Sequence, residues 1–358
     1  MSLKRPRGHP GTLVVLEHDS KVLRGNPLGD PHRRKLGVWL PPGYDHGARG
    51  GKSPRYPVLY DLVGFTGSGL AHANWKPFGD NVPERAARLI HEKKMGPVII
   101  VFPDCFTALG GNQYVNSSAI GDYADYLTRE IIPFVDGEFR TLASREHRGC
   151  FGKSSGGYGS IIHGMKYAKY WGAIADHSGD AYFEFVYWPD WPNTLNELAK
   201  YRRSKTSRNL AKGLDDGRIK RFLNHVWKRE KLSGKEGHAI MNLCMAATYD
   251  PDPRAPLGFR IPFHAETGEA IPGRWRNWRR HDPINLVSKY RANLKSLRGI
   301  YIDCGSRDQY HIHYGSRLLS QRLAKAGIRH RYDEFDDDHS DIDYRMDVSL
   351  PFLYRALD

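Results

Sequence analysis

Arg148-Gly149-Cys150-Phe151-Gly152-Lys153-Ser154-Ser155-Gly156-Gly157-Tyr158-Gly159-Ser160 is the stretch whose reading decides the fold. A short apolar run stops abruptly in glycines and serines, and a helix-like run, Ser160 to Tyr167, follows at once. Gly152-Lys153-Ser154-Ser155-Gly156 matches G-x-S-x-G, the nucleophile elbow. A serine hydroxyl is a poor nucleophile until a base takes its proton, so it must stand exposed at a sharp strand-to-helix turn. The flanking glycines let strand and helix approach closely. The helix beyond turns its N-terminal N–H groups towards the site. On this reading Ser154 is the nucleophile and the Ser155 N–H is half of an oxyanion hole.

Two readings compete. Gly152-Lys153-Ser154 is also the tail of a Walker A loop, but His147 stands where that loop needs its first glycine. An ordinary Gly/Ser turn is the other. The rest of the chain must choose.

The chain has 358 residues, enough for one large α/β domain or two ordinary ones. Its four cysteines (105, 150, 244, 304) show no C-x-x-C pair and no metal-ligand spacing, which suits reduced thiols in a cytoplasmic protein. The N-terminus is basic but leads into no apolar h-region, and no run is long enough to span a membrane. No secretory leader, membrane anchor, metal or cofactor is expected. Lys and Arg number 54 against 40 Asp and Glu, a formal charge of +14. No zinc-finger spacing, RNP-like strand or basic zipper accompanies it, so a solvated basic surface is favoured over nucleic-acid binding.

Outward from the elbow, strands are expected over Gly11–Val22, Arg34–Leu40, Tyr56–Val63, Pro97–Phe102, Glu146–Phe151 and Trp171–Asp176. Helical spacing marks Val82–Lys94 and Tyr123–Val135. The alternation fails from 179 to 291, a region with five of the eight tryptophans and basic runs at Tyr201–Lys205 and Arg274–Arg280. It reads as an insertion over the active edge, within a single domain spanning 1–358. Alternation resumes with the strand Gly299–Cys304, a helix near Gly315–Ala326, the strand Arg329–Phe335 and a last helix, Tyr344–Leu357. Strands alternating with helices imply a mostly parallel sheet flanked by helices.

A serine at an elbow needs an acid after a later strand and a histidine after the next. Asp308 follows the strand ending at Cys304, and His339 follows the strand ending at Phe335. The carboxylate would fix the imidazole tautomer, and the free nitrogen would take the Ser154 proton. Asp303 is the rival acid, but it belongs to the strand and lies too deep. His311 and His313 open a helix and are assigned to the pocket lining or to support. The run Asp336–Asp343 lacks EF-hand spacing and reads as a solvated acidic loop. The second oxyanion donor is expected from the loop after Val63, at the Phe65 N–H.

The ordered set of motifs now resembles a known family. It comprises Asn26–Pro31, Leu40–Tyr44, Tyr56–Tyr60, the elbow, His177–Asp180, Asp303–Asp308 and Glu334–Ser340. The chain resembles the putative esterase family of the α/β-hydrolase superfamily, the group holding esterase D, enterochelin esterases and the antigen 85 mycolyltransferases. The resemblance implies an α/β-hydrolase fold and a serine hydrolase with Ser154, Asp308 and His339 in the triad positions. Two departures stand out: Val63-Gly64 replaces the His-Gly of many relatives, and Lys153 occupies an elbow position where a small or apolar residue is common.

The resulting expectation is a carboxylic ester hydrolase acting through an acyl-enzyme on a small-molecule ester. An acyltransferase on the same triad and a hydrolase-fold binding protein remain the alternatives. Indoles and guanidinium groups in the insertion suit aromatic or anionic esters, with Lys153, Trp275 and Arg276 as candidate substrate-binding residues. The competing reading packs those tryptophans into the insertion's own core and leaves the arginines in water.

Overall fold

The computed structural model describes residues 10–44, 53–203 and 216–358. The basic N-terminal stretch Met1–His9 and the end of the basic run at Ser204 and Lys205 lie outside the described residues.

Eight strands form one sheet: β1 (Thr12–Asp19), β2 (Arg33–Leu40), β3 (Val58–Leu62), β4 (Ile99–Pro103), β5 (Arg148–Lys153), β6 (Ala173–His177), β7 (Gly299–Gly305) and β8 (Arg331–Phe335). Their spatial order is β1-β2-β4-β3-β5-β6-β7-β8. All neighbours from β4 to β8 are parallel, whereas β2 runs antiparallel to both β1 and β4. The expectation of a mostly parallel sheet therefore holds, with an antiparallel hairpin at one edge. β1 ends earlier than its apolar pattern suggested. Ser20, Lys21 and Val22 leave the ladder and donate instead to the Glu130 carboxylate.

The central strands are apolar on both faces because both faces are covered. Along β4, Ile99 and Val101 point into one core while Ile100 and Phe102 point into the other. Helices α1 (Val82–His91) and, at the C-terminus, Met346–Leu357 cover the second face. Asn81 and Glu84 close a reciprocal capping box on α1, typically worth about 1 kcal/mol. The first face carries α2 (Ser155–Lys166), the helical stretch from Tyr123 to Glu138 and the helices of the long excursion after β6. The stretch from Tyr123 is π-helical over Tyr126–Ile131 and continues through Pro133 to Glu138.

Between β6 and β7 the chain makes α3 (Trp191–Ala199), α4 (Arg218–Val226), α5 (Gly234–Tyr249) and α6 (Pro272–Arg279), with shorter helices at Phe183–Val186, Pro283–Leu286 and Arg291–Lys295. Beyond β7 lies α7 (Ile312–Lys325). The four cysteines are free and buried. Among the described residues no helix is long and apolar enough to cross a membrane.

Candidate active site

The elbow is where the sequence pattern predicts it. β5 ends at Lys153, α2 starts at Ser155, and Ser154 between them has φ 57° and ψ −121°. A non-glycine residue there stores roughly 1–3 kcal/mol of strain, so its surroundings must hold it. Ser154 N–H donates to the His177 carbonyl at 2.9 Å, and its own carbonyl accepts from Tyr158 N–H at 2.8 Å. Gly152 and Gly156 are required by space: a Cβ on either would overlap the Leu62 carbonyl oxygen. Helix α2 begins five residues earlier than the apolar run implied, running straight through Gly156, Gly157 and Gly159. A phosphate-binding loop needs a longer glycine-rich turn before the helix, and strand β5 occupies that place.

Asp308 and His339 come together from the loops after β7 and β8. Asp308 Oδ2 lies 2.7 Å from His339 Nδ1, and its Oδ1 accepts the Tyr310 N–H at 2.9 Å. Both residues are largely buried, Asp308 at 2% exposure and His339 at 8%. Tyr310 meets the His339 ring edge-on at 4.8 Å, and Gln309 Oε1 accepts the His339 N–H. A hydrogen-bonded carboxylate fixes Nδ1 as the protonated nitrogen and leaves Nε2 as the base. Ser154 and His339 line the same cavity of about 610 Å³, although no hydrogen bond joins them among the described residues. Such contacts often tighten only when substrate binds.

The loop after β3 passes over the elbow, since a Cβ on Gly64 would lie 3.5 Å from Ser154 Cβ. Thr66 and Gly67 spend their N–H groups on Gly110 and Gly64. The Phe65 N–H has no acceptor among the described residues, and Ser155 N–H is one of the orphan donors at the start of α2. The replacement of His-Gly by Val63-Gly64 leaves this backbone path in place.

Lys153 lines the cavity beside Ser154, and burial lowers its pKa. Trp275 and Arg276 do not line it. Trp275 is buried among Trp188, Phe263 and Trp278, its indole N–H directed at Glu184, and Arg276 points outwards. The expected pair of substrate contacts is thereby corrected. The amphipathic run 274–280 turns its indoles into the core of the excursion, while Arg274 and Arg279 pair with Asp250 and Glu184. His311 and His313 likewise stay out of the cavity lining: His311 holds a left-handed turn before α7 and His313 is buried. Asp303 belongs to a separate buried cluster, 2.6 Å from His177 Nδ1 and 2.9 Å from Arg345 Nε.

Several cavity residues escaped the sequence reading. Asp180 is buried, accepts from Tyr187 Oη at 2.6 Å and Gln113 Nε2 at 3.2 Å, and is pushed above the usual carboxylate range by burial. The excursion after β6 supplies Val186, Tyr187, His238 and Met241 to the wall. The lining also includes His72, Lys76, Asp341 and Asp343, so part of the acidic run is wall rather than solvated loop. Among the described residues no cluster of three or more His, Cys, Asp or Glu is arranged to hold a metal ion.

Comparison with known proteins bears on the family and the fold. The family model described as Putative esterase matches residues 31–349. An esterase of Mycobacterium tuberculosis (strain H37Rv) is 33% identical over 91 residues, 24% of this chain and 19% of the relative, so the match spans less than two thirds of that relative's length. A solved ferulic acid esterase superimposes with a TM-score of 0.59 at 17% identity, over 97% of this chain and 99% of the other. The fluorophosphonate-binding serine hydrolase FphF of Staphylococcus aureus gives 0.56 at 15% identity, over 98% and 100%. At such identities the structural likeness speaks for the fold. Since the family model runs from before β2 into the last helix and the sheet is that of solved esterases, this chain belongs to the Putative esterase family, on the α/β-hydrolase fold.

Proposed function

We propose that the chain is a carboxylic ester hydrolase that works through an acyl-enzyme on Ser154. The observation that carries this reading is the His339–Asp308 pair, 2.7 Å apart, facing the cavity into which the strained elbow presents Ser154. His339 Nε2 takes the hydroxyl proton as Ser154 Oγ bonds to the ester carbonyl carbon. The Phe65 and Ser155 N–H groups hold the oxyanion. Collapse breaks the bond to the leaving oxygen, which receives the proton from His339. Water then attacks the acyl-enzyme by the same route, returning Ser154 and releasing the acid. Asp308 keeps the imidazole oriented and stabilises its charged form.

The acyl group is aromatic on this account. Phe65, Val186, Tyr187, Met241, Tyr310 and Ile312 make an apolar, ring-rich wall suited to a flat acyl chain. The fold-level likeness to a ferulic acid esterase points the same way. The test compares kcat/KM for a hydroxycinnamoyl ester and a medium-chain alkyl ester. A preference for the hydroxycinnamoyl ester is expected; a clear alkyl preference would contradict the acyl assignment.

A further inference from the structure

Besides His339–Asp308, two more histidines that line the cavity pair with carboxylates: His238, partly exposed, with Asp190, and His72, more deeply set, with Asp61. Asp61, at the C-terminal end of β3, is fully buried, and its two carboxylate oxygens lie 2.9 and 2.8 Å from His72 Nδ1. His72 sits in the short helix Gly69–Ala73 and lines the cavity together with Lys153. With Nδ1 committed to Asp61, Nε2 is the nitrogen left for the cavity, and it has no protein partner among the described residues. Lys153 likewise has no ion-pair partner among the described residues.

The acids at this end are largely spoken for. Asp61 is taken by His72, and Asp343 pairs with Lys76. Asp341 stands at the exposed rim. Asp180, also in the lining, is engaged by Tyr187 and Gln113, so the partly buried charged groups left to meet a ligand near Ser154 are donors: the His72 Nε2–H and the Lys153 ammonium. Donors carrying positive charge bind carboxylate, phosphate or sulfate oxygens about twice as strongly as neutral donors do.

We propose that His72, held by Asp61, and Lys153 form a subsite for an anionic group on the ester substrate. The inference rests on the esterase reading above and moves the anion-binding role from Arg276, on the outer surface, to the part of the cavity lined by His72 and Lys153. His72 is a specificity-determining residue in this scheme and takes no part in the proton transfers at Ser154. The groups that set its charge are Asp61, paired with its Nδ1, and Asp343 and Lys76, which pair with each other nearby. Burial disfavours the imidazolium, but Asp61, with help from Asp343 and against Lys76, raises its pKa above the ordinary histidine value. A histidine with a raised pKa keeps its proton, and its hold on an anion, to higher pH than an ordinary one.

The test uses two pairs of aryl esters that differ only in carboxylate against carboxamide. One pair carries the difference on the alcohol side (4-carboxyphenyl and 4-carbamoylphenyl acetate). The other carries it on the acyl side (phenyl hydrogen glutarate and phenyl glutaramate). The ratio of kcat/KM, carboxylate over carboxamide, is read for wild type, His72→Gln and His72→Arg across pH. Taking a ratio removes whatever pH effects act on both esters alike. In at least one pair the wild type should prefer the carboxylate, with the preference fading as pH rises past the raised His72 pKa. His72→Gln should lower that ratio roughly tenfold or more, mainly through KM, the size of one hydrogen bond to a charged group. His72→Arg should keep the preference and remove its pH dependence. Equal turnover of both members in both pairs, or a parallel loss on both esters in His72→Gln, would overturn the subsite while leaving the esterase reading intact. Turnover of none of the four by wild type would instead sink the esterase reading, and the subsite with it.

Discussion

Replacing Asp308 by Asn removes one charge from the site and little else. The carboxylate is 2% exposed, accepts the Tyr310 N–H on one oxygen and faces His339 Nδ1 at 2.7 Å with the other. When His339 takes the Ser154 proton, the imidazolium charge lies roughly 4 Å from that of the carboxylate, an attraction of about 4 kcal/mol at an effective dielectric near 20. Losing it from the transition state slows acylation about a thousandfold, at about 1.4 kcal/mol per tenfold. The amide adds a second fault. Its NH₂ group favours the tautomer with Nδ1 as acceptor and Nε2 protonated, which cannot accept from serine and can take the loss to about ten-thousandfold. The assay is kcat on a saturating aryl ester, with the thermal midpoint measured alongside to show that the fold survives. Retention of more than about a tenth of wild-type kcat by a folded Asp308→Asn variant would refute the reasoning, since a triad member typically costs orders of magnitude.

The rival acid gives the converse result. Asp303→Asn leaves His177 and Arg345 short of a buried countercharge and should cost about 3 kcal/mol of stability, seen as a lower thermal midpoint, while kcat at a permissive temperature stays close to wild type. Trp275→Ala should cost about 3 kcal/mol as a core truncation and leave the hydroxycinnamoyl-to-alkyl ratio where it was; a shift in that ratio would return the indole to the substrate. Gly156→Ala, whose methyl group would overlap the Leu62 carbonyl oxygen, should give little soluble, active protein, and normal yield and activity would mean that α2 and β3 pack less closely than described.

The parts of the site that a sequence can reveal are those tied to chain direction. In a parallel sheet, loops at the C-terminal ends of strands share one edge, so Ser154, Asp308 and His339 can be located by asking which loop follows which strand. His72 and Asp61 carry no such signature. Asp61 is a single polar residue inside an apolar strand, and its partner lies eleven positions on in a short helix without a sequence signature. The one cue was the buried carboxylate itself, which requires a nearby cation or donor. Trp275 and Arg276 show the opposite failure. A run alternating indoles with guanidinium groups says that one face is apolar, but not whether that face meets a ligand or the protein's own core. The antiparallel edge was illegible for a related reason: apolar alternation sets which face a residue occupies and leaves strand direction open.

The central claim is that Ser154 is an activated nucleophile. Its most direct test is fluorophosphonate labelling followed by peptide mass analysis of wild type, Ser154→Ala and His339→Ala. Wild type should take up one label, on the peptide carrying Ser154. Ser154→Ala should take up none, and His339→Ala should react far more slowly because the base is gone. Labelling of Ser154→Ala at the wild-type rate, or a label on any other residue of the wild type, would contradict the account.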